Sequence, residues 1–248
     1  MKEESSKNNS KNILEKILDL IYPQVCGICG KLDTNSLCRK CRIKLEEHKQ
    51  IQTNLPKESE GQFQEFMSLF SYEGIIRDLL IDYKFKEKPY LAKTLGNFII
   101  SQKPIQEKIQ TYDLLIPVPI SKKRKKERGY NQSLLLANEI KANSKQQINN
   151  QCLEKVQNII EQSKLTKEER KLNIQGVYRL KNEQTIENKK VLLIDDIYTT
   201  GSTIKECCQT LAKGKPSKIG VLVVAKDELT RQTSEIERMI NDKEMNSN

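Results

Sequence analysis

VLLIDDIYTTGST, residues 191–203, decides the fold. Its four leading aliphatic residues run without alternation, which predicts a short strand buried on both faces rather than a half-wet one. Two acids, Asp195 and Asp196, close the strand, and Thr199, Thr200, Gly201, Ser202 and Thr203 follow as a loop. In an open parallel α/β sheet, ligands bind beyond the carboxyl ends of the strands, where this acid pair falls. Gly201 permits a positive φ and close backbone approach. The Thr and Ser hydroxyls, with the N–H groups of a following helix, make an anion cradle. The loop matches neither GxxxxGK[ST] nor GxGxxG, which excludes a Walker loop and a dinucleotide turn. Carboxylates beside such a cradle make chemical sense if they accept hydrogen bonds from sugar hydroxyls or face a divalent cation. Ribose carrying a 5′-phosphate presents hydroxyls and phosphate close together.

Outward from this string, DLLIPVP (113–119) predicts a buried strand ended by prolines, and KIGVLVVA (218–225) predicts another. Between them come a basic loop, the helix QSLLLANEIK (132–141) and a helix over 202–213. Strand, loop, helix, strand is the rhythm of an α/β fold, a parallel sheet flanked by helices. Upstream, FMSLFSY (66–72) is strand-like. GIIRDLLIDYKF (74–85) is helical, with Ile75, Ile76, Leu79, Leu80 and Tyr83 on one side, and a further helix is expected over 90–102. Residues 1–12 predict a disordered tail, followed by a short amphipathic helix (Ile13, Leu14, Ile17, Leu18, Ile21) up to Pro23. The organisation expected is this helix with a cysteine module over 13–48, a polar linker over 49–62, the main domain over 63–226 and a charged tail over 227–248.

The 248 residues suffice for one domain and a small module, and the net charge of +10 favours phosphate-bearing partners. The run IGVLVVA (219–225) falls far short of the about 20 residues a membrane span needs, so no insertion and a cytoplasmic location are expected. Seven cysteines in a reducing compartment argue for metal ligation or burial. Cys26-x₂-Cys29 and Cys38-x₂-Cys41 are separated by eight residues, the pattern of a closed, structural Zn²⁺ site. Lys31, Arg39, Lys40 and Arg42 offset the charge of four thiolates, and a redox CxxC is the rival reading. Cys152, Cys207 and Cys208 are expected as buried thiols. The sole histidine, His48, falls in a polar stretch, so no Ser-His-Asp scheme is available.

The thirteen-residue string resembles the phosphoribosyl pyrophosphate (PRPP) motif of type I phosphoribosyltransferases, with Tyr198 where an aliphatic residue is usual. Together with CGICG…CRKC, DLLIPVPISKKRKKERGYNQ, QSKLTKEERKLNIQGVY and IGVLVVA, in that order over about residues 22–226, it makes the chain similar to the ComF family. These are phosphoribosyltransferase-like proteins with an N-terminal cysteine module, linked to DNA uptake in competent bacteria. The resemblance implies a type I phosphoribosyltransferase-like sheet, and PRPP with Mg²⁺ as ligand. Asp195 and Asp196 would take the ribose hydroxyls, Thr199 to Thr203 the 5′-phosphate, and Pro117, Val118 and Pro119 the pyrophosphate. Arg128, at the end of the basic run, would bind phosphate oxygens as a fork; Asn131 and Gln132 either orient it or cap the next helix. Residues 155–176 correspond to a mobile catalytic loop, with Gln162, Leu165, Arg170 and Asn173 in matching spacing and Lys155 where the family carries Arg. The implied chemistry is displacement of pyrophosphate at ribose C1 through an oxocarbenium-like state, on an acceptor chosen by a hood that includes residues 63–100. A second hypothesis is a single-stranded DNA-binding protein acting with other competence proteins, and a third a PRPP-sensing regulator. The second lacks a base-stacking array, aromatics being only 5% with no Trp.

Overall fold

The computed structural model describes residues 25–33, 36–59, 61–156 and 176–228. The helix expected after residue 12, both tails except Asp227 and Glu228, and Gln162, Leu165, Arg170 and Asn173 lie outside them.

The elements in chain order are α1 (Arg39–Glu47), β1 (Lys49–Gln52), β2 (Glu65–Ser71), α2 (Gly74–Phe85), α3 (Leu91–Ser101), α4 (Lys103–Ile109) and β3 (Leu114–Pro117). They continue with α5 (Lys122–Arg128), α6 (Gln132–Ala142), β4 (Gln147–Ile148), β5 (Leu153–Lys155), β6 (Tyr178–Leu180), β7 (Lys190–Tyr198), α7 (Ser202–Ala212) and β8 (Lys218–Lys226). A six-stranded sheet runs β1-β2-β8-β7-β3-β4, parallel except for the antiparallel edge strand β1. β5 and β6 form a separate antiparallel pair.

The aliphatic run of β7 lies at the centre because both its faces are covered. Leu192 and Ile194 pack into one apolar cluster with Ile76, Leu80 and Tyr83 of α2 and Leu136 and Ile140 of α6. Val191 and Leu193 pack into a second cluster with Ile204, Cys207 and Leu211 of α7. A parallel sheet of this kind needs helices on both sides to bury its strands, and α2, α3 and α6 cover one face while α7 covers the other.

Three expectations are corrected. Lys49–Gln52, read as the start of a linker, forms the edge strand β1, with Lys49 opposite Phe70. Its sequence, KQIQ, carries a single apolar residue, Ile51, which packs against the core while the rest stays polar on an exposed edge. The basic stretch read as a loop contains α5: the Ser121 hydroxyl accepts from the Arg124 N–H at 3.2 Å, and Gly129 ends the helix at φ 80°. Ile75, expected with the buried face of α2, is 38% exposed, because the first turn of that helix presents Ile76 instead.

The cysteine module is not a satellite. Cys26, Leu37, Cys38, Cys41 and Leu45 belong to the same cluster as Met67, Leu95 and Phe98. The Thr94 hydroxyl donates to the Ser36 carbonyl at 2.9 Å, and a Cβ on Gly27 would fall on that same hydroxyl. Gly27 is therefore needed for close approach to α3.

Candidate functional site

The register of the sheet assembles the site. Pro117 at the end of β3 lies opposite Ile194, and the Val118 N–H donates to the Ile194 carbonyl at 2.9 Å. The Pro117-Val118-Pro119 turn thus emerges beside Asp195 and Asp196. Both acids are buried, at 7% and 1% exposure. The Ser133 hydroxyl donates to Asp195 Oδ1 at 2.8 Å, and the Asp196 N–H donates to the same oxygen at 3.0 Å. Burial, then the neighbouring Asp196 charge, pushes the Asp195 carboxyl well above the usual range, to about 7. Asp196 Oδ1 accepts the Ile197 N–H at 2.9 Å and the Lys84 ammonium at 3.1 Å. Asp196 Oδ2 is buried without a well-directed hydrogen bond, yet Lys84 Nζ stands 3.1 Å from it as well; the ion pair is what holds it.

Beyond the acids the loop opens to solvent. Thr199, Thr200, Ser202 and Thr203 are exposed, and the Thr200 and Ser202 hydroxyls are 2.9 Å apart. Gly201 is buried at φ +75°, starting α7. A Cβ there would strike the Tyr198 hydroxyl and lie 2.6 Å from its Cζ. Tyr198, the departure from the usual motif, is itself buried and edge-on to Phe66 at 5.2 Å. The glycine is required by both its backbone conformation and this ring.

Asn131 and Gln132 divide the two roles left open for them. The Asn131 carbonyl oxygen caps α6, accepting from the Ser133 and Leu134 N–H groups, and its amide donates to the Val118 carbonyl at 3.0 Å. Gln132 accepts Arg128 through its side chain, while its backbone carbonyl accepts the Tyr83 hydroxyl at 2.6 Å. Arg128 also lies 5.3 Å over the Phe85 ring, and burial lowers its basicity. Lys155 reaches the Tyr178 hydroxyl at 3.3 Å, and burial depresses its ammonium. Lys155 lines a cleft of about 380 Å³ with Pro117, Pro119, Lys122, Lys125 and Lys181. Among these cations Lys181 is paired with Glu154 at 2.6 Å. The cleft therefore joins the proline turn, the exposed face of α5 and β5 on one basic surface.

Several site residues escaped sequence reasoning. Lys84 and Ser133 hold the acid pair, and Glu206 of α7, itself buried, accepts the Val177 N–H at 2.7 Å. Lys84 sits beside Tyr83 in a helical pattern that reads only as amphipathic, so its one signal is the unmet need of two adjacent buried acids for a cation.

The four cysteine sulfurs at Cys26, Cys29, Cys38 and Cys41 all lie within 4.8 Å of one another, and Cys29 and Cys38 Sγ are 3.7 Å apart. A tetrahedral Zn²⁺ with bonds of about 2.3 Å needs sulfurs roughly 3.8 Å apart, so the donor set fits that ion. Burial raises the Cys26 thiol, but N–H groups of Cys38, Cys29 and Ile28 more than offset this and bring it down to about 6. Burial raises Cys152, Cys207 and Cys208, as expected of inert thiols. His48 is exposed, with Nδ1 2.9 Å from the Lys44 carbonyl. Among the described residues no helix is long and apolar enough to cross a membrane.

The phosphoribosyl transferase domain family matches residues 135–247. The chain is 27% identical over 216 residues to competence protein ComFC of Bacillus subtilis (strain 168), covering 82% of this chain and 78% of that one. It is 26% identical over 196 residues to competence protein F of Haemophilus influenzae, with 76% and 84% covered. It is 22% identical over 202 residues to DNA utilization protein YhgH of Escherichia coli (strain K12), with 79% and 88% covered. With the parallel sheet, the acid pair and loop at the end of β7 and the four-cysteine module, these matches make the chain similar to the phosphoribosyltransferase-like ComF proteins.

Proposed function

We propose that the chain binds PRPP, or a ribose 5-phosphate moiety, at the end of β7, in the service of DNA uptake. One observation carries the reading: two buried carboxylates are followed directly by exposed hydroxyls and the N-terminus of α7, with the proline turn of β3 alongside. Asp195 and Asp196 take the ribose hydroxyls. Thr199, Thr200, Gly201, Ser202 and Thr203 take the 5′-phosphate, and Pro117, Val118 and Pro119 flank the pyrophosphate. Mg²⁺, when bound with PRPP, would supply charge neutralisation for the departing pyrophosphate. Arg128, Lys155 and Arg170 are the cations proposed for the leaving group, and Gln162 and Asn173 complete the set carried by resemblance. Displacement at ribose C1 needs no histidine, consistent with the exposed position of His48. The link to DNA uptake follows the names of the relatives, competence proteins and a DNA utilization protein.

The test is calorimetric titration of PRPP with Mg²⁺ into the wild type and into Asp195→Asn/Asp196→Asn. Binding by the wild type that the double variant loses is expected; a wild type that takes up no PRPP overturns the proposal.

A second reading, single-stranded DNA on the same face, is favoured by the lysine-lined cleft and by the unburied basic residues of α5. Oligonucleotide affinity should then fall with salt, and Lys122→Ala/Lys125→Ala should lower the slope by about 0.7 for each phosphate that is no longer neutralised. Salt-independent or absent binding rejects it.

A further inference from the structure

The acid pair carries its own cation. Lys84, near the end of α2, donates to Asp196 Oδ1 at 3.1 Å and stands 3.1 Å from Oδ2, so its ammonium straddles the carboxylate. The Lys84 side chain is 21% exposed and that of Asp196 only 2%, so the pair is largely shielded from water. Among the described residues no other side chain donates to Asp196 Oδ2, which is buried. Of the other oxygens, Asp195 Oδ1 accepts the Ser133 hydroxyl and the Asp196 N–H, and Asp196 Oδ1 accepts the Ile197 N–H. Arg128 adds positive field at Asp196, and Lys155 does the same at Asp195.

Adjacent carboxylates at a strand end suit two ligand classes, a divalent cation or a neutral diol. A divalent ion would need oxygens at about 2.0–2.6 Å on the face of Asp196 that the ammonium already covers. It would also stand beside that like charge in a shielded place, where repulsion is least screened. A hydroxyl escapes the charge penalty: it is neutral, and it needs only one open lone pair on the acid pair rather than several oxygens around an ion. We propose that Lys84 is a specificity-determining residue, the built-in counter-ion that bars divalent cations from Asp195 and Asp196 and reserves the pair for hydroxyl donors. The ligand class rests on the ribose reading above, but the exclusion of metal does not. Mg²⁺ therefore does not fit directly on the acid pair, and any that accompanies PRPP belongs with its pyrophosphate.

The test uses Mn²⁺ alone as probe, followed through the resonance of the free ion, on the full chain without PRPP. Five proteins are compared: wild type, Asp196→Asn, Lys84→Gln, Lys84→Arg and Lys84→Gln/Asp196→Asn, with folding checked by circular dichroism. Wild type and Lys84→Arg are expected to show no Mn²⁺ binding that depends on Asp196. Lys84→Gln should bind Mn²⁺ tighter by on the order of tenfold or more, a unit-charge effect discounted for screening, and the double variant should lose the gain. Wild-type Mn²⁺ binding abolished by Asp196→Asn overturns the proposal whether or not the lysine variants fold. A folded Lys84→Gln without the gain overturns it equally. Ribose 5-phosphate in EDTA is the separate arm: if the wild type does not bind it while Lys84→Gln gains Mn²⁺, the ribose reading fails and the counter-ion role stands.

Discussion

Replacing Gly201 by alanine tests the loop geometry at its tightest point. Two costs are separable. The backbone sits at φ +75°, where a Cβ clashes with its own peptide for about 1–2 kcal/mol. The new methyl also meets the Tyr198 hydroxyl and the ring carbon that bears it, in a buried place where the ring is wedged against Phe66. Overpacking of this kind costs about 1–3 kcal/mol. Gly201→Ala should therefore destabilise by about 2–5 kcal/mol, whereas in a Tyr198→Val background only the backbone cost of about 1–2 kcal/mol remains. The coupling expected from a double-mutant cycle is thus about 1–3 kcal/mol, well above the few tenths seen for independent sites. Urea unfolding of the four proteins measures it, since the loss common to the two proteins that carry Tyr198→Val cancels. An equal loss from Gly201→Ala in the two backgrounds would refute the claim that Tyr198 packs under this glycine.

The Asp195 carboxyl is raised from 3.8 to about 7, so on unfolding it releases its proton more readily than in the fold. Its share of stability is therefore present below about pH 4 and lost as pH rises towards 7. Asp195→Asn should gain stability relative to wild type across that window, and parallel melting-temperature profiles against pH would contradict this. Glu206→Ala leaves the Val177 N–H unpaired and should cost about 1–3 kcal/mol, with faster hydrogen exchange at residues 177 and 178; unchanged exchange there would show that the carboxylate does not tether β6. Purified protein should hold one Zn²⁺ per chain by elemental analysis, and Cys41→Ser should lose it with a marked drop in melting temperature, because Cys41 is part of the main core cluster. A folded, metal-free wild type would reject the zinc centre.

What could be read ahead of the structure was what local pattern encodes. The strands around 114–117, 191–195 and 218–225 announce themselves because a strand buried on both faces must be apolar throughout, and proline ends the first of them. The four-cysteine module is legible because ligand spacing is itself local. β1 was hidden for the opposite reason: an edge strand needs only one inward residue, and Ile51 among polar neighbours carries no period. The seven residues of α5 were hidden by charge, since their helical state comes from the Ser121 cap and the Gly129 stop rather than from an apolar face. Asn131 and Gln132 could be assigned only in pairs of roles, because which of them meets Arg128 depends on how α5 leads into α6.

The acid pair shows where such reading ends. Its place at the strand end and before a hydroxyl-rich loop follows from thirteen contiguous residues, but its charge does not. That is set by Lys84, 112 positions away, brought over the end of β7 because Ile76, Leu80 and Tyr83 bury α2 on the face of the sheet that Leu192 and Ile194 supply. The same packing sets Arg128: the Tyr83 hydroxyl fixes the Gln132 carbonyl, the Tyr130 hydroxyl donates to the Tyr83 carbonyl, and Phe85 lies under the guanidinium. Residues 74–85, expected to help form a hood over an acceptor, therefore also set the electrostatics of the acid pair. A substitution on the buried face of α2, such as Leu80→Ala, should then reach the acid pair without touching it. Its signature would be a partial version of the Lys84→Gln gain in Mn²⁺ binding, accompanied by the loss of about 2–5 kcal/mol expected of a buried leucine. Stability lost with no change at the acid pair would mean that Lys84 finds Asp196 without help from its helix.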